Sequence, residues 1–179
     1  MKTFENVEIK RLVQSNLFKQ LPPKYSTFIG LAGPNYLKYR KIILNNSNPR
    51  KIVLVDLNSS NNIVKTGNIE DYLSNYMDLD FCSSIISDGE KFNNVFNKMN
   101  NLKGDKYLFF TFSLRLKGGL NTTLEFLNKF IKFDIVKISN LISGKYGSPY
   151  CRELITNNEN IKLYSYKDTN CMISGLIKF

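Results

Sequence analysis

"FIGLAGPNYLKYRKIILNNSNPRKIVLVDLN", residues 28–58, decides how the rest of the chain is read. An apolar run breaks at Gly30 and Gly33, a helical pattern opens at Asn35, and a second apolar run closes on Asp56. Pro34 stands where a first helical turn tolerates proline. "NYLKYRKIILNN" places Leu37, Ile42 and Leu44 at helical spacing, and "SNPR" reads as a turn. "KIVLVDL" is almost wholly apolar and β-branched, as a strand covered on both faces must be. The stretch is therefore a strand–helix–strand unit, and a parallel pair follows from it.

The same alternation continues on both sides. Upstream, residues 4–21 put Val7, Leu12, Val13, Leu17, Phe18 and Leu21 at helical spacing, and Pro22 and Pro23 end that leading helix. Downstream, "NNIVKT" (61–66) reads as a short strand, "GNIEDYLSNYM" (67–77) as a turn and helix, and "DLDFCSSII" (78–86) as a strand. "DGEKFNNVFNKMNNL" (88–102) groups Phe92, Val95, Phe96 and Met99 on one helical face. "KYLFFTFSLR" (106–115) is the most strand-like segment, and "GGLNTTLEFLNKFIKF" (118–133) is a helix after a glycine break. "IVKISNLI" (135–142) fits helix or strand, "SGKYGSP" is loop, and "YCRELIT" (150–156) reads as a short helical piece. The closing residues 161–179 look like two strands joined by a "KDTN" turn. One domain over 1–179 is expected, with a parallel α/β sheet and an antiparallel edge.

Composition bounds the chemistry. A chain of 179 residues with no histidine has no Ser-His-Asp or Cys-His nucleophile and little prospect of a zinc site. Cys82, Cys151 and Cys171 are widely spaced and odd in number, which fits free thiols in a reducing compartment. Proton transfer falls to Asp, Glu, Lys or Tyr. No apolar run spans a bilayer, and the opening "MKTFENVEIKRLVQ" mixes charges, so a cytoplasmic protein is expected. The net charge of +10 suggests an anionic partner such as nucleic acid. Lysine-rich codon bias offers a second origin, since 20 Lys stand against 5 Arg with no tight basic run.

A glycine turn after a first parallel strand lets backbone approach a ligand, and an acid ending the next strand can accept from ribose hydroxyls. "GLAGPN" and Asp56, 23 residues after Gly33, meet that pattern, although G-x-x-G is shorter than the full glycine fingerprint. Strand–helix packing glycines and a turn-capping Asp56 explain the same residues.

With "GNI" at 67–69 and "DLDFCSS" at 78–84 added, the sequence resembles class I S-adenosylmethionine-dependent methyltransferases of the small kind found in phages and other mobile elements. The similarity covers roughly residues 25–132. It implies a Rossmann-like, mostly parallel sheet with helices on both faces and a C-terminal antiparallel hairpin, with 1–21 as a leading helix and 135–159 as a variable insertion. It implies S-adenosylmethionine as cofactor, held by Gly30, Leu31, Ala32, Gly33, Asn35, Asp56, Leu57, Asn68 and Ile69. Asp80 would stand beside the methyl donor as the catalytic residue. Arg115, Lys117, Lys145 and Tyr146 are the substrate-binding candidates, on loops where base stacking and phosphate contact are both available. Lys24, Asp80, Lys117 and Glu153 can be set against the Lys-Asp-Lys-Glu tetrad of ribose 2'-O-methyltransferases. The sequence lacks the Asn/Asp-Pro-Pro-Tyr/Phe and Pro-Cys acceptor motifs, and Cys82, following Phe81, reads as a small buried core residue rather than a nucleophile. Two alternatives stand beside methylation: a catalytically inactive methyltransferase-like binding module in a phage setting, and a nicotinamide-dependent enzyme.

Overall fold

A computed structural model describes residues 3–59, 62–115, 119–143, 149–167 and 170–179, with side chains from residue 9 onward. Among these residues, four α-helices and one nine-stranded mixed sheet form an α/β fold. The helices are α1 (Thr3–Phe18), α2 (Tyr36–Asn46), α3 (Ile85–Asn100) and α4 (Gly119–Leu127). The strands are β1 (Tyr25–Leu31), β2 (Pro49–Asp56), β3 (Val64–Thr66), β4 (Tyr76–Asp80), β5 (Tyr107–Ser113), β6 (Ile135–Ile142), β7 (Tyr150–Thr156), β8 (Ile161–Lys167) and β9 (Cys171–Lys178).

The strand order is β3-β2-β1-β4-β5-β9-β8-β7-β6. The first five strands pair in parallel, and the remaining pairings are antiparallel. The expectation of a mostly parallel sheet is corrected on this point. The β8–β9 hairpin was anticipated, but β6 and β7 add a second one. "YCRELIT" is strand and not helix, because β7 has a hydrogen-bonding neighbour on each side, β6 and β8. Pairing on both edges satisfies the backbone, which local helical propensity does not outweigh.

A second correction concerns residues 67–77. The expected helix is a single 3-10 turn, Ile69–Asp71, and Tyr76 already belongs to β4. Asn68 caps that turn by accepting from the Glu70 amide at 3.3 Å. Burial alternation then takes over: Met77 and Leu79 face one side of the sheet, Asp78 and Asp80 the other. The strand expected over 78–86 ends early, at Asp80. Cys82 turns the chain at φ +52°, and Ser84 takes the N-cap position of α3 without a side-chain capping bond.

Helices cover both faces. On one, Phe92, Val95 and Met99 of α3 and Leu127 of α4 pack on Ile29, Met77, Leu79, Phe110 and Phe112. On the other, Ile9, Val13, Leu17 and Phe18 of α1 and Tyr39 and Ile43 of α2 pack on Phe28, Phe109, Tyr164, Tyr166 and Leu176. Leu12, expected on the inner face of the leading helix, is 41% exposed, and Ile9 takes its place. Packing of α1 across β8 and β9 carries its first turns over the carboxyl end of β4.

Candidate functional site

The parallel half reverses strand order between β1 and β4, where the chain leaves β1 toward β2 on one side and returns to β4 on the other. Open parallel sheets bind ligands at the carboxyl ends of strands beside such a point. A cleft of about 310 Å³ lies there. One wall is the end of β1 and the turn after it, with Leu31, Ala32, Gly33 and Asn35; the other holds Asp80, the last residue of β4, and Cys82 just past it. Lys10, Arg11 and Gln14 of α1 close it from above.

Three of these groups form a compact cluster. Lys10 Nζ lies 2.6 Å from Asp80 Oδ2 and donates to Cys82 Sγ at 3.1 Å, and the thiol donates to Asp80 Oδ1 at 3.0 Å. Lys10 and Asp80 retain only 22% and 14% side-chain exposure. Burial is the largest single influence on Lys10 and lowers its pKa, but the charges of Asp80, Cys82 and Tyr166 and the hydrogen bond to Asp80 together outweigh it and hold the ammonium above its ordinary value. Burial and the neighbouring Asp80 push the Cys82 thiol up to about 11, so at neutral pH the group is a thiol donor and not a thiolate nucleophile. Cys82 is the single non-glycine residue at positive φ among the described residues, a strained conformation of the kind that clusters at functional sites.

Beneath the cluster lies a second layer. Asp78 is 3% exposed and accepts from the Tyr39 hydroxyl at 2.5 Å. Burial, then the nearby Asp80 charge, raise the Asp78 carboxyl well above the usual carboxylate range, and Tyr39 is raised for the same first reason. The Tyr39 hydroxyl stands where a side chain on Gly30 would begin, 2.5 Å from that position. Gly30 thus admits Tyr39 to Asp78. Gly33 differs: a Cβ there would meet nothing within 4 Å. Thr111, Ser174 and Tyr166 continue the polar layer through hydroxyl contacts of 2.8 and 3.0 Å.

The expected site residues divide accordingly. Leu31, Ala32, Gly33, Asn35 and Asp80 line one cleft. Asp56 sits at the end of β2 but outside that lining, its carboxylate accepting from the Asn58 amide at 3.1 Å. Leu57 is 61% exposed. Asn68 is engaged in its own turn, and Ile69 is 3% exposed with its side chain in the α3-side core, away from the cleft. Arg115 is exposed just past β5. Lys117, Lys145 and Tyr146 lie outside the described residues.

The proposed tetrad is corrected at its first member. Lys24 precedes β1 at the amino end of the sheet, the wrong end for Asp80. The lysine that meets Asp80 is Lys10, 70 residues away in sequence. Glu153, in β7, is 4.0 Å from Lys162. A sequence signal for Lys10 does exist: it and Gln14, one turn apart, interrupt the inner face set by Ile9, Val13 and Phe18, and Gln14 is 7% exposed.

No family model and no curated protein matches the chain. The cleft has to be read from its chemistry. Among the described residues no group of three or more His, Cys, Asp or Glu is placed to hold a metal. No helix among them is long and apolar enough to cross a membrane. What remains is an enclosed lysine–carboxylate pair, a neutral thiol and an open glycine turn.

Proposed function

We propose that the chain is an S-adenosylmethionine-dependent methyltransferase whose acceptor is nucleic acid or another anionic molecule. The observation that carries this reading is the Lys10–Asp80 pair in the wall of a cleft whose other wall is the unobstructed turn at Gly33. The β3-β2-β1-β4-β5 order supports a Rossmann-like core, with β9 laid antiparallel beside β5. The turn residues fit an adenosine-bearing ligand: Gly33 leaves space that a side chain would take, and Asp56 ends the neighbouring strand. A bound sulfonium supplies an electrophilic methyl, which leaves the protein mainly to orient the acceptor and manage its proton. Lys10 and Asp80 suit that work, because a fixed ammonium beside a carboxylate can hold an acceptor hydroxyl and lower its proton affinity. The charge of +10 favours a phosphate-bearing acceptor.

Calorimetry with S-adenosylhomocysteine tests the cofactor, on the wild type and on Gly33→Val and Asp56→Ala. A Cβ at Gly33 meets no protein atom within 4 Å, so in Gly33→Val binding should vanish while the melting temperature holds. Transfer of labelled methyl to RNA or DNA then tests turnover, and Lys10→Met should abolish it. A second reading, a binding module without catalysis, draws on Asp56 being committed to the Asn58 amide and on Tyr39 standing over Gly30. Absence of heat at millimolar cofactor together with retained nucleic-acid binding would select it.

A further inference from the structure

We propose that Arg11 is the anion anchor of the cleft and takes a compact oxyanion, a carboxylate or a phosphate, carried by the ligand that enters there. The proposal rests on the reading of the cleft as a ligand site and names the charged group that site recognises.

Arg11 lines the cleft beside Lys10, one residue along α1, yet the two are in opposite circumstances. Lys10 is neutralised by Asp80 at 2.6 Å. Arg11 makes no ion pair and no hydrogen bond among the described residues. Burial lowers its pKa, with no carboxylate acting in the other direction. A partly desolvated guanidinium without a partner is unusual, since its five donors form a fork matched to carboxylate and phosphate.

Among the described residues, the acids around it are already engaged. Asp80 is already bridged by Lys10 and by the Cys82 thiol. Asp78 lies under Tyr39. Across the cleft, the first turn of α2 contains no acid, and the Asn35 side chain makes no capping bond. The positive end of that helix therefore adds to the Arg11 charge. With Lys10 and Asp80 cancelling, the described residues of the cleft carry a net positive charge that suits an incoming anion. S-Adenosylmethionine offers a carboxylate and a nucleic-acid acceptor offers a phosphate, and the experiment separates these sources.

The test compares ligands that differ only in the anion, on the wild type, Arg11→Gln and Arg11→Lys. For the first source the pair is S-adenosylhomocysteine and its decarboxylated analogue, which keeps the amine and lacks only the carboxylate. For the second it is a short oligonucleotide with and without a 5'-phosphate. Charge-assisted hydrogen bonds of this kind correspond to about a ten- to hundredfold change in affinity. Arg11→Gln should lose that factor for one anion-bearing ligand and nothing for its anion-free partner, and Arg11→Lys should recover part of it. An unchanged melting temperature is expected in both variants, because Arg11 has no partner to lose. Equal losses for both members of each pair, or no loss at all, would overturn the proposal. If the wild type binds neither nucleosides nor oligonucleotides, the methyltransferase reading fails on its own account. Inorganic phosphate titrated against the backbone amide resonances of Ala32 and Gly33, which line the same cleft, then decides the anchor: a saturating shift in the wild type that is lost in Arg11→Gln upholds it, and no shift at tens of millimolar refutes it.

Discussion

The two faces of the sheet are built from the same strands and differ in what they bury. The α3–α4 face is dry and aromatic. Phe92 packs against Phe96, Phe110, Phe112, Phe126 and Phe130 with ring centroids 5.2–6.5 Å apart. The α1–α2 face carries a comparable apolar cluster but encloses Asp78, Thr111, Ser174 and Tyr39 at the carboxyl end, with Lys10 and Asp80 above them. β4 shows the division most sharply, since its alternate residues are Met77 and Leu79 on one side and Asp78 and Asp80 on the other. A buried carboxylate is costly and persists only where partners are provided. One face thus carries stability, and the other encloses polar groups at some expense of stability.

The largest effect expected is on the dry face. Phe92→Ala should cost about 3–5 kcal/mol, since a fully buried ring is replaced by a cavity. Chemical denaturation measures it, and ligand affinity under native conditions should not move. On the polar face, Lys10→Met leaves Asp80 without its cation. The pair is largely but not wholly buried, so a loss of about 2 kcal/mol is expected, between the values for buried and exposed pairs. The double variant Lys10→Met/Asp80→Asn should recover part of that loss, and strictly additive losses would argue that the pair is not coupled.

The third prediction concerns pH. Asp78 has a folded pKa raised above its unfolded value, so the folded state holds that proton more tightly. Its contribution is therefore fully present in acid, and it diminishes as pH rises from about 4 until the buried carboxyl ionises, at up to about 1.4 kcal/mol per pH unit. Melting curves of Asp78→Asn and the wild type should diverge across that window, with the variant gaining relative stability as pH rises. Parallel curves would show that Asp78 ionises normally. The smallest effect is expected at Glu153, whose 4.0 Å pair with Lys162 is long and partly open to solvent. Glu153→Gln should change stability by less than about 0.5 kcal/mol, and the little it contributes should disappear in high salt.

The dry face was the more legible of the two in the sequence. Phe92, Val95 and Met99 recur at helical spacing, and "YLFFTFS" admits little but a buried strand, so periodicity was enough. The order of the β1–α2–β2 unit and its turn at Gly33 were legible too, but the inner face of α2 was not: Leu37 and Leu44 are exposed, and Tyr39 and Ile43 are the buried residues. The polar face was only half visible. Asp80 and the glycine turn stood out as motifs, but Tyr39 and Lys10 looked like ordinary residues of amphipathic helices. Asn68 and Ile69 matched a motif by position, yet one serves its own turn and the other packs in the core.

Local pattern settled where the main helices and strands of the central unit run, because hydrophobic spacing and turn chemistry act over a few residues. Residues 150–156 escaped it, since their strand depends on β6 and β8 pairing to either side. The same holds for the site. Lys10 meets Asp80 because α1, seated by Ile9, Val13 and Leu17, crosses the sheet end, and no short-range rule relates positions 70 residues apart. Which charge finds a counter-charge, and which is left facing a cleft, is a property of long-range packing.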